Sequence, residues 1–148
     1  MDKRKVIQCI CVGICVVLLG LGSVGYIRYD KSAKHPFTSR ELSKVERVSV
    51  IFGAYEPYYL SEEEEEQFLE LLEDVVIYER DNTYREYTGV GFTSFGIEKT
   101  NGKTIYIQAS NPFFIINDVG YRTKYEPCDE ISRFGYEIVH SKIKKNSM

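Results

Sequence analysis

Glu98-Lys99-Thr100-Asn101-Gly102-Lys103-Thr104-Ile105 is the stretch on which the fold turns. Asn-Gly between two alternating runs is the strongest short-range signal for a β-hairpin, because both central positions of a type I′ turn need positive φ. Tyr87–Glu98 reads as the strand before it, bent or bulged at its glycines. After it, Ile105, Ile107 and Ala109 face one side, and Tyr106 and Gln108 the other. A half-buried antiparallel pair is therefore expected at the centre of the chain.

Working outward, Asn111-Pro112 breaks that strand and Phe113–Ile116 starts another. Asn117-Asp118-Val119-Gly120 turns into Tyr121–Tyr125. Pro127, Asp129 and Glu130 then open a helix whose inner face carries Ile131, Phe134, Ile138 and Lys142. Lys142, Lys144 and Lys145 suit its negative end. Upstream, Val45–Phe52 alternates as a strand with Val48, Val50 and Phe52 on one face. Gly53–Leu60 reads as a loop. Ser61 and Glu64 form a capping box, and Phe68, Leu71, Leu72, Val75 and Val76 place one apolar stripe on a helix running to about Tyr78. Thr38-Ser39-Arg40-Glu41 has the same spacing and predicts one helical turn before Leu42.

The order β-α-β-β-β(-β)-α predicts an α+β domain of two layers, an antiparallel sheet with both helices on one face. It spans residues 41–148, after a polar linker at 28–40 that holds Pro36. Residues 1–27 read as a basic tail and a transmembrane signal anchor. Residues 6–27 are uncharged, and as a helix they are roughly 33 Å long, enough for a hydrocarbon core of about 30 Å. Lys3, Arg4 and Lys5 directly precede them, which predicts a single-pass protein in the cell membrane with its domain outside the cytoplasm.

Charge and cysteine usage narrow the function. The first 27 residues hold three basic and one acidic side chain, so the remainder has 16 basic and 21 acidic, a net charge of −5. An acidic domain does not invite nucleic acid. Cys9, Cys11 and Cys15 fall inside the apolar run, leaving Cys128 alone in the domain. No intradomain disulfide is available, and the domain stands on its core.

The search for chemistry finds little that converges. His35 lies in the linker, and His140 lies late in the last helix. Cys128 precedes a helix start, where a thiol can be acidified, yet His140 is twelve residues further along, roughly 18 Å on a helix. Glu62–Glu66 reads as a solvated acidic cap, since calcium needs oxygens converging from a turning loop. No metal, cofactor or catalytic residue is expected. An enzyme would have to use carboxylates such as Glu56 or Asp118 with Tyr as proton donors. The composition outlier is tyrosine, 12 against no tryptophan. Tyr55, Tyr58 and Tyr59 crowd around Glu56-Pro57, and Tyr suits recognition surfaces. Tyr55, Pro57, Tyr58 and Tyr59 are therefore the candidate binding residues.

The basic-apolar start, the strand Val45–Phe52, the acid-capped helix from Ser61, the Asn101-Gly102 hairpin and the closing helix together resemble small membrane-anchored extracytoplasmic domains of Gram-positive bacteria that carry no assigned activity. Many of those have a lipidated Cys directly after the apolar run, and no Cys stands there in this chain. The resemblance implies a membrane-held, non-enzymatic module that binds a protein, peptide or envelope component. An accessory subunit of a membrane complex is the alternative.

Overall fold

The computed structural model describes residues 33–87 and 93–143. The apolar run at 6–27 lies outside the described residues. Among those described, no helix is long and apolar enough to cross a membrane. The domain is α+β, with seven antiparallel strands in one sheet. In chain order the elements are α1 (Ser39–Leu42), β1 (Val45–Phe52), β2 (Tyr58–Tyr59), α2 (Glu62–Glu73), β3 (Ile77–Arg80), α3 (Tyr84–Tyr87), β4 (Thr93–Lys99), β5 (Thr104–Ser110), β6 (Phe113–Ile116), β7 (Val119–Thr123) and α4 (Tyr125–Ile138), which runs on into a π turn at Val139–Ile143. The strands lie in the order β2-β1-β4-β5-β6-β7-β3.

Register explains which face is buried. Val48 and Val50 pair with Ile97 and Phe95, and Phe95 pairs with Ile107. Ala109 pairs with Phe114, so these residues share one face. Phe68 and Leu72 of α2 join Cys128, Ile131, Phe134 and Ile138 of α4 in the same core. Both long helices thus cover one face, as their apolar stripes require. The other face carries a smaller cluster of Tyr84, Phe113 and Ile115. It adds a partial third layer, formed by the short helix α3, to the two layers expected.

The turns correct the reading of the hairpin. Lys99 N–H donates to Lys103 O, Gly102 N–H donates to Lys99 O, and only Gly102 of the turn has positive φ, at 77°. This is a three-residue loop closing on a glycine bulge, not a two-residue type I′ turn. The type I′ geometry appears two hairpins later, where Asn117 and Asp118 take φ of 47° and 63° between the paired Ile116 and Val119. That moves β7 two residues earlier than expected, and Tyr125 opens α4 instead of closing a strand.

Two further boundaries differ. The first long helix stops at Glu73, and Ile77–Arg80 is an edge strand. Val75, Val76 and Ile77 fit an apolar helical stripe, but β-branched residues favour strands where a partner exists. Thr123 and Lys34 supply the partners on either side of Ile77. Tyr87, expected to start a strand, ends α3 instead, and residues 88–92 lie outside the described residues. Phe37, in the stretch read as linker, is buried and meets Phe114 edge-on at 6.1 Å. The predicted turn after Thr38 is present as α1, capped by the Thr38 side chain.

Gly102 and Gly120 resist substitution for different reasons. Gly102 has open space around it but needs positive φ. Gly102→Val should therefore cost about 1 kcal/mol or more through backbone strain. A Cβ on Gly120 would collide with the Tyr84 ring and the Asp81 carbonyl. Gly120→Ala should cost about 1–3 kcal/mol through overpacking. Adding Tyr84→Ala should recover part of the second loss and none of the first, as measured by chemical denaturation.

Candidate functional site

The segment 53–60, read as a loop, is a hairpin. Gly53 turns the chain with φ 57°, and Tyr55 N–H donates to Phe52 O at 3.2 Å. The Tyr55 ring stacks on Phe52, with centroids 6.0 Å apart and planes at 19°. Glu56 and Pro57 are exposed at the tip. Tyr58 and Tyr59 then pair with Val50 and Ser49.

That pairing separates the candidate residues. Strand side chains alternate between faces. Tyr58, opposite the buried Val50, turns toward the helices, and its hydroxyl donates to Glu64 Oε2 at 3.2 Å. Burial and the nearby Glu64 carboxylate raise the pKa of that hydroxyl. Tyr59 turns to the opposite face. Tyr55, Pro57, Tyr58 and Tyr59 are adjacent in the chain but do not form one surface.

The face that Tyr59 joins is built from three strands besides its own. Across it run Tyr59, Ser49, Gly96 and Tyr106, paired strand to strand. The adjacent row is Arg47, Glu98 and Thr104. Arg47 Nε donates to Glu98 Oε2 at 2.6 Å, and its guanidinium carbon lies 4.5 Å from the Tyr59 ring centre. The Glu98 hydrogen bond raises the Arg47 pKa. Tyr59 Oη and Glu98 Oε1 are 3.5 Å apart. Gly96 makes room for the Ser49 hydroxyl: a Cβ there would stand 2.9 Å from Ser49 Oγ, and at 3.6 Å from Tyr106 Cε1 it would only touch the second ring. The Tyr106 N–H donates to Asn117 Oδ1 at 2.9 Å, which ties its backbone to the β6–β7 turn. Tyr59 and Tyr106 remain 46% and 53% exposed.

The β6–β7 half of the same face is covered instead. Tyr84 lies over Gly120, and its hydroxyl donates to Asp118 O at 2.9 Å. Arg122 sits 4.6 Å over the Phe113 ring and pairs with Asp81 at 2.7 Å. Hydrogen bonds from Thr83 and the Arg122 charge hold the Asp81 carboxyl below its ordinary range. Tyr106 was legible as outward-facing, but its place in the same cross-strand row as Tyr59 needs the register of four strands.

The remaining candidates do not converge. Cys128 is buried in the core, with Sγ 3.4 Å from Phe113 O. Burial pushes its thiol up to about 12, so the acidified thiol allowed by a helix start is not formed. His140 is exposed, its ring centre 4.0 Å from that of Tyr136. Glu56 hangs from the β1–β2 hairpin and Asp118 from the β6–β7 turn, at least three strand spacings apart, roughly 14 Å. No three potential metal ligands cluster among the described residues.

In the acidic run, Glu64 and Glu65 are structural. Glu64 accepts from Ser61 N–H at 2.9 Å, and Ser61 Oγ accepts from Glu64 N–H at 3.4 Å, completing the capping box. Partial burial opposes the Glu64 charge, but hydrogen bonds from Ser61 and Tyr58 and the Lys142 cation outweigh it and lower its pKa. Glu65 Oε2 accepts from Val48 N–H at 3.0 Å, closing the sheet edge beyond the short β2. Burial there raises the Glu65 pKa.

Comparison of the chain with known protein families, characterised proteins and solved structures finds no match. The fold and the exposed surface therefore define a class only: an α+β domain with a seven-stranded antiparallel sheet and an aromatic, charged patch on one half of one face.

A lowered carboxylate pKa contributes stability above the unfolded value, here 4.5, and loses it as pH falls through the folded value. Wild-type protein should therefore lose stability more steeply than Glu64→Gln as pH drops below about 4.5. Ser61→Ala should cost about 1 kcal/mol at neutral pH. Urea melts across that range check both, and parallel slopes for wild type and Glu64→Gln would contradict the assignment.

Proposed function

We propose that this chain is a single-pass membrane protein whose domain is held outside the cytoplasm and binds a protein or peptide, without catalysing a reaction. The observation that carries the binding reading is the patch of Tyr59, Arg47, Glu98 and Tyr106. Tyr and Arg dominate the energetics of protein interfaces. Here the Arg47 guanidinium is fixed against Tyr59 by the Glu98 ion pair, which lowers the entropy lost when a partner docks. The patch stands on a sheet, so its geometry is set before binding. The membrane reading is supported by the uncharged residues 6–27 behind Lys3, Arg4 and Lys5. The net charge of −5 disfavours nucleic acid as the partner.

Topology and binding are tested separately. Protease added to intact cells should digest the domain, and protection until lysis would contradict the orientation. Partners crosslinked to the full-length chain in membranes should be lost with Tyr59→Ala plus Tyr106→Ala, a weakening of about 1–4 kcal/mol with the fold retained. Tyr58→Ala is the contrasting variant: it should lower the melting temperature and leave binding by folded molecules unchanged. Partners lost only when residues 6–27 are exchanged for an unrelated span would favour the accessory-subunit alternative.

A further inference from the structure

A cavity of about 230 Å³ lies between α1 and the sheet. Phe37, Leu42, Val45, Ile105 and Ile116 are among its walls, and Glu41 and Lys99 also line it. Lys99 Nζ meets Glu41 Oε2 at 2.7 Å, and Lys44 Nζ meets Glu41 Oε1 at 3.3 Å. The Lys99 side chain is only 15% exposed, whereas those of Glu41 and Lys44 are 44% and 48% exposed. The arrangement is an apolar chamber with Glu41 and Lys99 in its wall and Lys44 paired to Glu41 from outside the wall, three groups that sum to one positive charge.

We propose that this chamber binds one acyl chain carrying an anionic head. The apolar walls offer water few hydrogen-bond partners, and ordered water needs two to four. The volume is below the roughly 300–1,000 Å³ of drug-sized pockets and suits a single slender apolar chain. Two lysines flank one glutamate, so an anionic head finds a net attraction that a cationic head does not. The source is at hand on the membrane reading proposed above, on which this part of the inference rests. Pro36 lines the chamber and follows Ile27 by nine residues, a reach of at most about 30 Å. The domain's overall negative charge opposes flat adsorption on an anionic bilayer, and capture of a single lipid in a pocket avoids that contact.

The test uses the full-length chain in phosphatidylcholine vesicles with a trace of a medium-chain diazirine fatty acid, or in a second arm a diazirine phosphatidylglycerol. After illumination, adducts are mapped by mass spectrometry. Saturable adducts on residues 36–45 and 105–116, displaced by unlabelled decanoate but not by decyltrimethylammonium, are expected. Label from the fatty acid alone identifies a free acid as the ligand, and label from both identifies a membrane lipid as a source. Ile116→Phe should reduce the adducts about tenfold or more, because each methylene denied burial is worth roughly fourfold in affinity. Val45→Phe, at the strand end, is the second variant should the first unfold. Lys99→Gln should abolish the preference for the acid over decanol.

Adducts confined to residues 6–27, adducts that do not saturate, or adducts unchanged in a folded cavity-filled variant would overturn the proposal, as would decanol competing equally with decanoate in the wild type. Sedimentation with the vesicles separates this from the membrane reading. A chain that stays in solution yet is labelled in the chamber refutes the anchor and keeps the site. A chain that sediments without such label refutes the site and keeps the anchor.

Discussion

The Phe68 and Phe95 rings stack with centroids 4.3 Å apart, and Phe134 closes on both, at 5.7 and 6.2 Å. One residue comes from each long helix and one from the central strand β4. That contact joins both helices and the sheet at one point of the shared core. Gly135 makes the approach possible, since a Cβ there would stand 2.9 Å from Thr93 Cγ2 and 3.0 Å from Phe95 Cζ. Aromatic burial of this kind outweighs the modest gains from the ion pairs, each of which keeps at least one partner in solvent.

With the helices committed to one face, the opposite face is left to shorter devices. α3 covers the β6–β7 half through Tyr84 and the space at Gly120. The β2-β1-β4-β5 half keeps Tyr59 and Tyr106 in solvent. Gly96 gives up its side chain to the Ser49 hydroxyl and leaves Tyr106 at ordinary contact distance, whereas Gly120 leaves the space that the Tyr84 ring fills. The difference is that Tyr84 hydrogen-bonds into the fold through Asp118, while Tyr106 stays about half exposed. That contrast separates a ring used for packing from a ring available for recognition.

Edges show the same economy. β2 is two residues long, and beyond it the sheet edge is closed by Leu60 N–H on Val48 O and by the Glu65 carboxylate on Val48 N–H. The far edge strand β3 is met by Lys34. Short edges and side-chain closure limit strand-to-strand association.

The capping box at Ser61, the turn after Thr38, the alternation of Val45–Phe52 and Thr104–Ser110, and Ile131, Phe134 and Ile138 on the inner face of α4 were all legible in the sequence, whereas Lys142, read onto that face, is exposed in the π turn beyond it. Each is local: a cap joins residues three apart, and alternation needs only the strand itself. The α+β class and the antiparallel sheet followed from those signals. What sequence left open was decided by partners distant in the chain. Val75 and Val76 continued the helical stripe and carried the expected helix to about Tyr78, but Thr123 and Lys34 took Ile77 into the sheet. Asn101-Gly102 and Asn117-Asp118 both read as turns, and only strand register assigned the glycine bulge to one and type I′ to the other. The tyrosines of residues 55–59 looked like one loop surface because adjacency in sequence is visible and face is not. Two backbone pairs to β1 sent Tyr58 to the core and Tyr59 to the face that Tyr106 shares, because a strand reverses its side chain at every residue and only tertiary pairing says which way the first one points.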